Sequence, residues 1–181
     1  SEFMPYTIEL GRSFVQPAYQ PTVNVRKGMY SLDNLWDGLG ALVILNPDIR
    51  YFFGKITMYP HFNTLARDLI LHFLSLYFPD HEKLVEPYAP LQLITPREEL
   101  ETFFSGGTYD TDYKKLVQQV RRLGEGIPPL VNAYMNLSST MRTFGTAINE
   151  AFGDVEETGI LVTIADIFEA KMDRHINTYQ K

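Results

Sequence analysis

Three short strings hold the residue types that could do chemistry. The first is IELGRSFV, residues 8–15, where Glu9 and Arg12 flank Gly11. A carboxylate in a strand-like segment needs a partner charge or a polar cleft to face. Regular pleating puts Glu9 and Arg12 on opposite faces, and a β-bulge near Gly11 would bring them to the same side. The second is NVRKGMYS, residues 24–31. It precedes a helix whose first backbone N–H groups could meet a phosphate; Arg26 and Lys27 add charge and Gly28 allows close backbone approach. A plain loop-to-helix junction would look the same. The third is TMYPHFN, residues 57–63, which places Tyr59 and His61 at the end of a strand, the usual place for ligands in α/β sheets. Both can give or take a proton. A turn set by Pro60 and a helix cap at Asn63 would also explain the string.

Composition narrows the function classes. The 181 residues, 45% hydrophobic and 13% aromatic, suit one folded domain with a sizeable core. A net charge of −6 argues against general nucleic-acid binding. There is no cysteine, which excludes disulfides, zinc-thiolate sites and thiol catalysis. His61, His72, His81 and His175 lie far apart without metal-ligand spacing, so no metal is expected. Residues 1–3, Ser-Glu-Phe, look like a cloning scar before Met4, and no signal peptide follows. The most apolar run, 65–78, is broken by Arg67, Asp68 and His72 and is too short to span a bilayer. The expectation is a soluble, cytoplasmic protein that at most touches the inner membrane surface.

The elements that must position these strings follow from periodicity and punctuation. Residues 6–15 alternate as a strand, and Pro17 and Pro21 mark a loop. A helix starts near Ser31, carries Leu32, Leu35, Trp36, Leu39, Leu42 and Val43 at helical spacing, and stops at Asn46-Pro47. Gly38 and Gly40 weaken it, which points to close packing against another backbone. Residues 51–59 read as a second strand, and Asn63 caps a helix to Phe78. This strand–helix–strand–helix order predicts parallel neighbours in an α/β sheet. Further helices are predicted over 96–104, 112–123, 128–137 and 166–176, and strands over 141–149 and 158–164 joined by a polar connection, 150–157. Lys114, Lys115, Arg121 and Arg122 read as a solvated helix face.

Several strings together, IELGRSFV, LWDGLGALVILNPDIRYFFG, KITMYPHFN with ARDLILHFL, and IPPLVNAYMNL, resemble the C-terminal part of the hemolysin-like acyltransferases of the GNAT superfamily. That bacterial-type family, many of whose members are labelled hemolysins, includes enzymes that N-acylate ornithine or glycine to begin making aminolipids. The resemblance covers nearly all of residues 5–176. It implies a GNAT-like mixed sheet flanked by helices, lacking the N-terminal strands that precede ELGR in the family. One such domain over 4–176, with a tail at 177–181, is the expected organisation.

The resemblance also implies roles. A fatty acyl group would pass from acyl carrier protein or acyl-CoA to an amino acid amine, with no tightly bound cofactor. Glu9 would accept the amine proton or position the substrate, and Arg12 would anchor a carboxylate or hold Glu9. Arg26, Lys27 and Gly28 would meet the phosphopantetheine arm, although the loop matches the family pattern only in part, with Tyr30 where a small residue is expected. Tyr59 would protonate the leaving thiolate and His61 would act as acid or base. Two rival readings remain open. One is a structural Glu9–Arg12 pair in a non-catalytic folded remnant that dimerises through an exposed sheet edge. The other is a membrane-perturbing protein, against which stands the lack of an amphipathic stretch rich in both Lys and exposed apolar residues.

Overall fold

The structure is a computed structural model that describes residues 2–11, 16–19, 31–104 and 107–180. Among these, four strands form one mixed sheet: β1 (Thr7–Leu10), β2 (Tyr51–Met58), β3 (Arg142–Asn149) and β4 (Val155–Thr163), in the order β1-β2-β4-β3. The accompanying helices are α1 (Ser31–Leu45), α2 (Thr64–Tyr77), α3 (Arg97–Phe103), α4 (Tyr109–Arg122), α5 (Pro129–Met135) and α6 (Glu169–His175). This is an α/β architecture consistent with a GNAT-like fold. Arg50 sets the strand directions. Its N–H donates to the Tyr6 carbonyl at 2.8 Å, and its own carbonyl accepts from the Ile164 N–H at 2.9 Å. β1 and β2 therefore start on the side of the sheet where β4 ends, so the first two strands run parallel as expected. β3 and β4 pair antiparallel, with a bulge between Thr143 and Thr146.

The chain divides into two compact units, residues 1–53 with 162–181, and residues 54–161. In the first, α1 packs on α6. Gly40 explains how close they come: a Cβ there would fall 1.6 Å from the His175 carbonyl oxygen. The expected backbone approach is real at Gly40, whereas a Cβ on Gly38 would meet nothing within 4 Å. Asp37, one turn earlier, bonds the buried His175 through Nδ1 at 2.7 Å.

The second unit is built around α2. The Asn63 side chain caps it by accepting from the Ala66 N–H, and Pro79 follows its end. Every residue from Ala66 to Leu74 is buried, so α2 is an interior helix rather than a surface one. β2 shows strand alternation, with Phe52, Gly54, Ile56 and Met58 buried and Lys55 exposed. Gly54 has no side chain because the Tyr134 hydroxyl would lie 2.8 Å from its Cβ. Phe73, Tyr77, Tyr109 and Tyr113 form an aromatic cluster that joins α2 to α4.

Three element starts move by three residues from the sequence reading. α4 begins at Tyr109, not Asp112, because Thr108 supplies the cap and Asp112 turns inward to accept from the Tyr77 hydroxyl. β4 begins at Val155, not Thr158, because Gly153 and Asp154 both take positive φ and turn the chain tightly. Residues 164–166 form a 3-10 turn, so α6 starts later than the expected 166.

Candidate active site

Glu9 is the exposed residue of β1, whose other members are half-buried. Its carboxylate has no ion pair among the described residues. A Cβ on Gly11 would sit 3.9 Å from its Oε1. β1 ends at Leu10 with Gly11 just past it, and Arg12, Arg26, Lys27 and Gly28, on which the expected bulge and phosphate contact depend, lie outside the described residues.

Tyr59 and His61 do come together. Both are exposed just past β2, with ring centroids 5.7 Å apart and planes only 16° from parallel. The Phe62 N–H donates to the Tyr59 carbonyl at 2.9 Å and closes the turn. The Asn63 N–H donates to Glu125 Oε1 at 3.0 Å, which fixes the turn to the segment after α4. The turn-and-cap explanation of this string therefore holds structurally. It also leaves a phenol and an imidazole stacked and exposed at the surface.

Two features escaped the sequence reading. The first is a buried ionic trio. Arg67 Nε donates to Asp68 Oδ1 at 2.8 Å, and its Nη1 donates to Glu156 Oε1 at 2.5 Å. Burial alone would lower the Arg67 pKa, but the bonds to Asp68 and Glu156 hold it raised. Asp68 Oδ2 in turn accepts from the backbone N–H groups of Ile94 and Thr95, at 3.0 and 2.7 Å. The trio thus pins the end of an irregular loop. The sequence signal for it is the charged pair Arg67-Asp68 inside an otherwise apolar helix.

The second is a cleft of about 640 Å³ in the second unit, between the C-terminal half of α2, the loop 83–93 and β3. That volume is ordinary for a small-molecule site. Its floor is Leu71, Leu74 and Phe144, all buried. Tyr134, close by Gly54 of β2, stays a protonated phenol at neutral pH, since burial pushes it up to about 12.

The chain is similar to two curated proteins, both named glycine N(alpha)-acyltransferase. It is 55% identical over 180 residues to the one from Phocaeicola vulgatus, covering 99% of this chain and 55% of that protein. It is 58% identical over 178 residues to the one from Bacteroides thetaiotaomicron, covering 98% of this chain and 53% of that protein. No protein-family profile matches, and no solved structure matches. The chain thus spans about half the length of the curated relatives it matches, and the match runs over nearly the whole of this chain.

Proposed function

We propose that this chain serves an N-acyltransferase that moves a fatty acyl group from a thioester, on acyl carrier protein or coenzyme A, to the amine of glycine. The observation that carries the reading is the 55–58% identity, across nearly the whole chain, to two proteins named glycine N(alpha)-acyltransferase. In the step, the neutral amine attacks the thioester carbonyl. A C–N bond forms, the C–S bond breaks, the amine loses a proton and the leaving thiolate takes one. Glu9, exposed and unpaired among the described residues, is assigned the amine proton. Tyr59 is assigned the thiolate proton, with His61 as the second acid or base. Arg12 anchors the acceptor carboxylate or holds Glu9, and Arg26, Lys27 and Gly28 meet the phosphopantetheine arm. The product is a single-chain aminolipid precursor, formed by a protein that touches the inner membrane surface only peripherally.

The test is product analysis by mass spectrometry. The chain is supplied with palmitoyl-CoA or palmitoyl carrier protein and with glycine or ornithine, beside the Phocaeicola vulgatus protein as reference. N-palmitoylglycine, lost in Glu9→Gln, is the expected result. Acylation of ornithine alone would move the acceptor assignment. Absence of any acylated amine, while the reference protein turns over, would overturn the reading for this chain.

The competing remnant reading has one observation of its own. β1 is at the end of the strand order, so its outer edge is unpaired among the described residues. A tight dimer by light scattering, with no donor binding, would favour it.

A further inference from the structure

The cleft of the second unit is preformed, and three independent fastenings make it so. The Leu91 N–H donates to the Thr146 carbonyl at 2.7 Å, which ties the covering loop to the bulged part of β3. The N–H groups of Ile94 and Thr95 end on Asp68, itself locked by Arg67. Pro87 lies so close to Gly145 that a Cβ there would be 2.8 Å from the proline ring. An irregular loop held at three places over an apolar floor is a roof, and it needs no ordering when a ligand enters.

What lies under that roof selects the ligand. Leu71, Leu74 and Phe144 form the floor, Leu91 a wall, and Leu93 the rim, where it is 38% exposed. Polar groups in the lining are mostly occupied. The Ser75 hydroxyl donates to the His72 carbonyl at 2.7 Å, and Thr146 shares a hydrogen bond with Thr158. Asp80 Oδ2 accepts from the Leu84 N–H, and Oδ1 stands 4.0 Å from Arg142. Lys83 and Glu86, both exposed, also line the cleft, and Lys83 has no ion pair among the described residues. A second hollow of about 440 Å³ adjoins and shares Val85, Pro87, Phe144 and Gly145. The interior therefore offers length and hydrocarbon contact, interrupted by the buried Asp80 carboxylate between Leu84 and Arg142, with the exposed charges of Lys83 and Glu86 also in the lining.

We infer that this cleft binds the long acyl chain, with the polar end of the ligand left at the mouth near Lys83. The choice of an acyl chain rests on the acyl-transfer reading. The same chain chemistry comes from two sources, the thioester donor and the N-acylated product.

The experiment reads binding without turnover, so it fails or succeeds separately from the transfer assay. A fluorescent fatty acid is displaced, below micellar concentrations, by palmitoyl-CoA and by N-acylglycines of ten to sixteen carbons. Affinity should rise about fourfold per added methylene until the cleft is full. Ser75→Trp, which fills the cleft from an exposed helix position, and Leu93→Arg, which charges the rim, should each weaken binding at least tenfold with unchanged circular dichroism and melting temperature. Tighter binding of either ligand class supports the site and names its source. Affinity independent of chain length, or displacement unchanged in both variants, would overturn it. Transfer activity that persists alongside such a negative result would leave the proposed reaction standing without this site.

Discussion

Gly40 and Gly38 are two positions apart on one helix and should behave oppositely. At Gly40 a methyl would have to occupy space held by the His175 backbone, which cannot swing away as a side chain could. Gly40→Ala should cost at least about 3 kcal/mol, at the upper end of overpacking effects. Gly38→Ala meets open space and should gain up to about 1 kcal/mol from helix propensity. Urea unfolding of the two variants checks both signs. His72 carries a second prediction at this scale. It is 6% exposed and stacked on Phe104, and its Nε2 has no hydrogen-bond partner among the described residues. Burial lowers its pKa, with Glu101 opposing and Arg97 adding smaller effects. The folded side chain thus stays neutral while the unfolded chain takes a proton near pH 6.5. Its contribution to stability is complete above that value and is lost as pH falls below it, toward the lower folded pKa. His72→Gln should flatten the fall in melting temperature between pH 7 and pH 5.

α2 shows at the level of an element what the chain hides from a linear reading. Its limits were legible, because Pro60, Asn63 and Pro79 punctuate a strongly apolar run. So were β2, from its alternation, and α1, from its leucines and Asn46-Pro47. Glu156 was not. An acidic stretch over residues 150–157 looks like a solvated connection, and its partner Arg67 is 89 positions away. Nor was the cleft, since α2, the loop and β3 meet only in the folded unit. Of the candidate residues, the positions of Glu9, Tyr59 and His61 were legible, because each lies at or just past a recognisable strand. The trio itself makes a sharp prediction. Arg67→Met leaves two carboxylates buried without their cation and should cost about 3–5 kcal/mol. Adding Glu156→Leu removes one of those orphaned charges and should restore part of the loss. Because Asp68 anchors Ile94 and Thr95, Asp68→Asn should also speed amide exchange at those two positions more than along α2.

For the molecule as a whole, the net charge of −6 sets a condition on donor binding. An anionic coenzyme or carrier is repelled by the summed field, so local cations and apolar contact must supply the affinity. If the chain holds the donor, stability must report it, since a ligand that binds only the folded state stabilises by mass action. At a free concentration 100-fold above Kd the gain is about 2.7 kcal/mol. For a chain of this size that is a rise of roughly 5–10 °C in melting temperature. Long-chain acyl-CoA should produce that rise in the unmodified protein. Glu9→Gln should keep it, because the carboxylate is assigned to the acceptor's proton and not to the donor. Arg26→Ala should lose most of it, because that cation is assigned to the phosphates, and added salt should shrink whatever remains. A rise abolished by Glu9→Gln and untouched by Arg26→Ala would reverse the two assignments. Coenzyme A without an acyl chain separates the contributions further: the difference between its shift and that of palmitoyl-CoA measures the hydrocarbon alone, and that difference should vanish in Ser75→Trp.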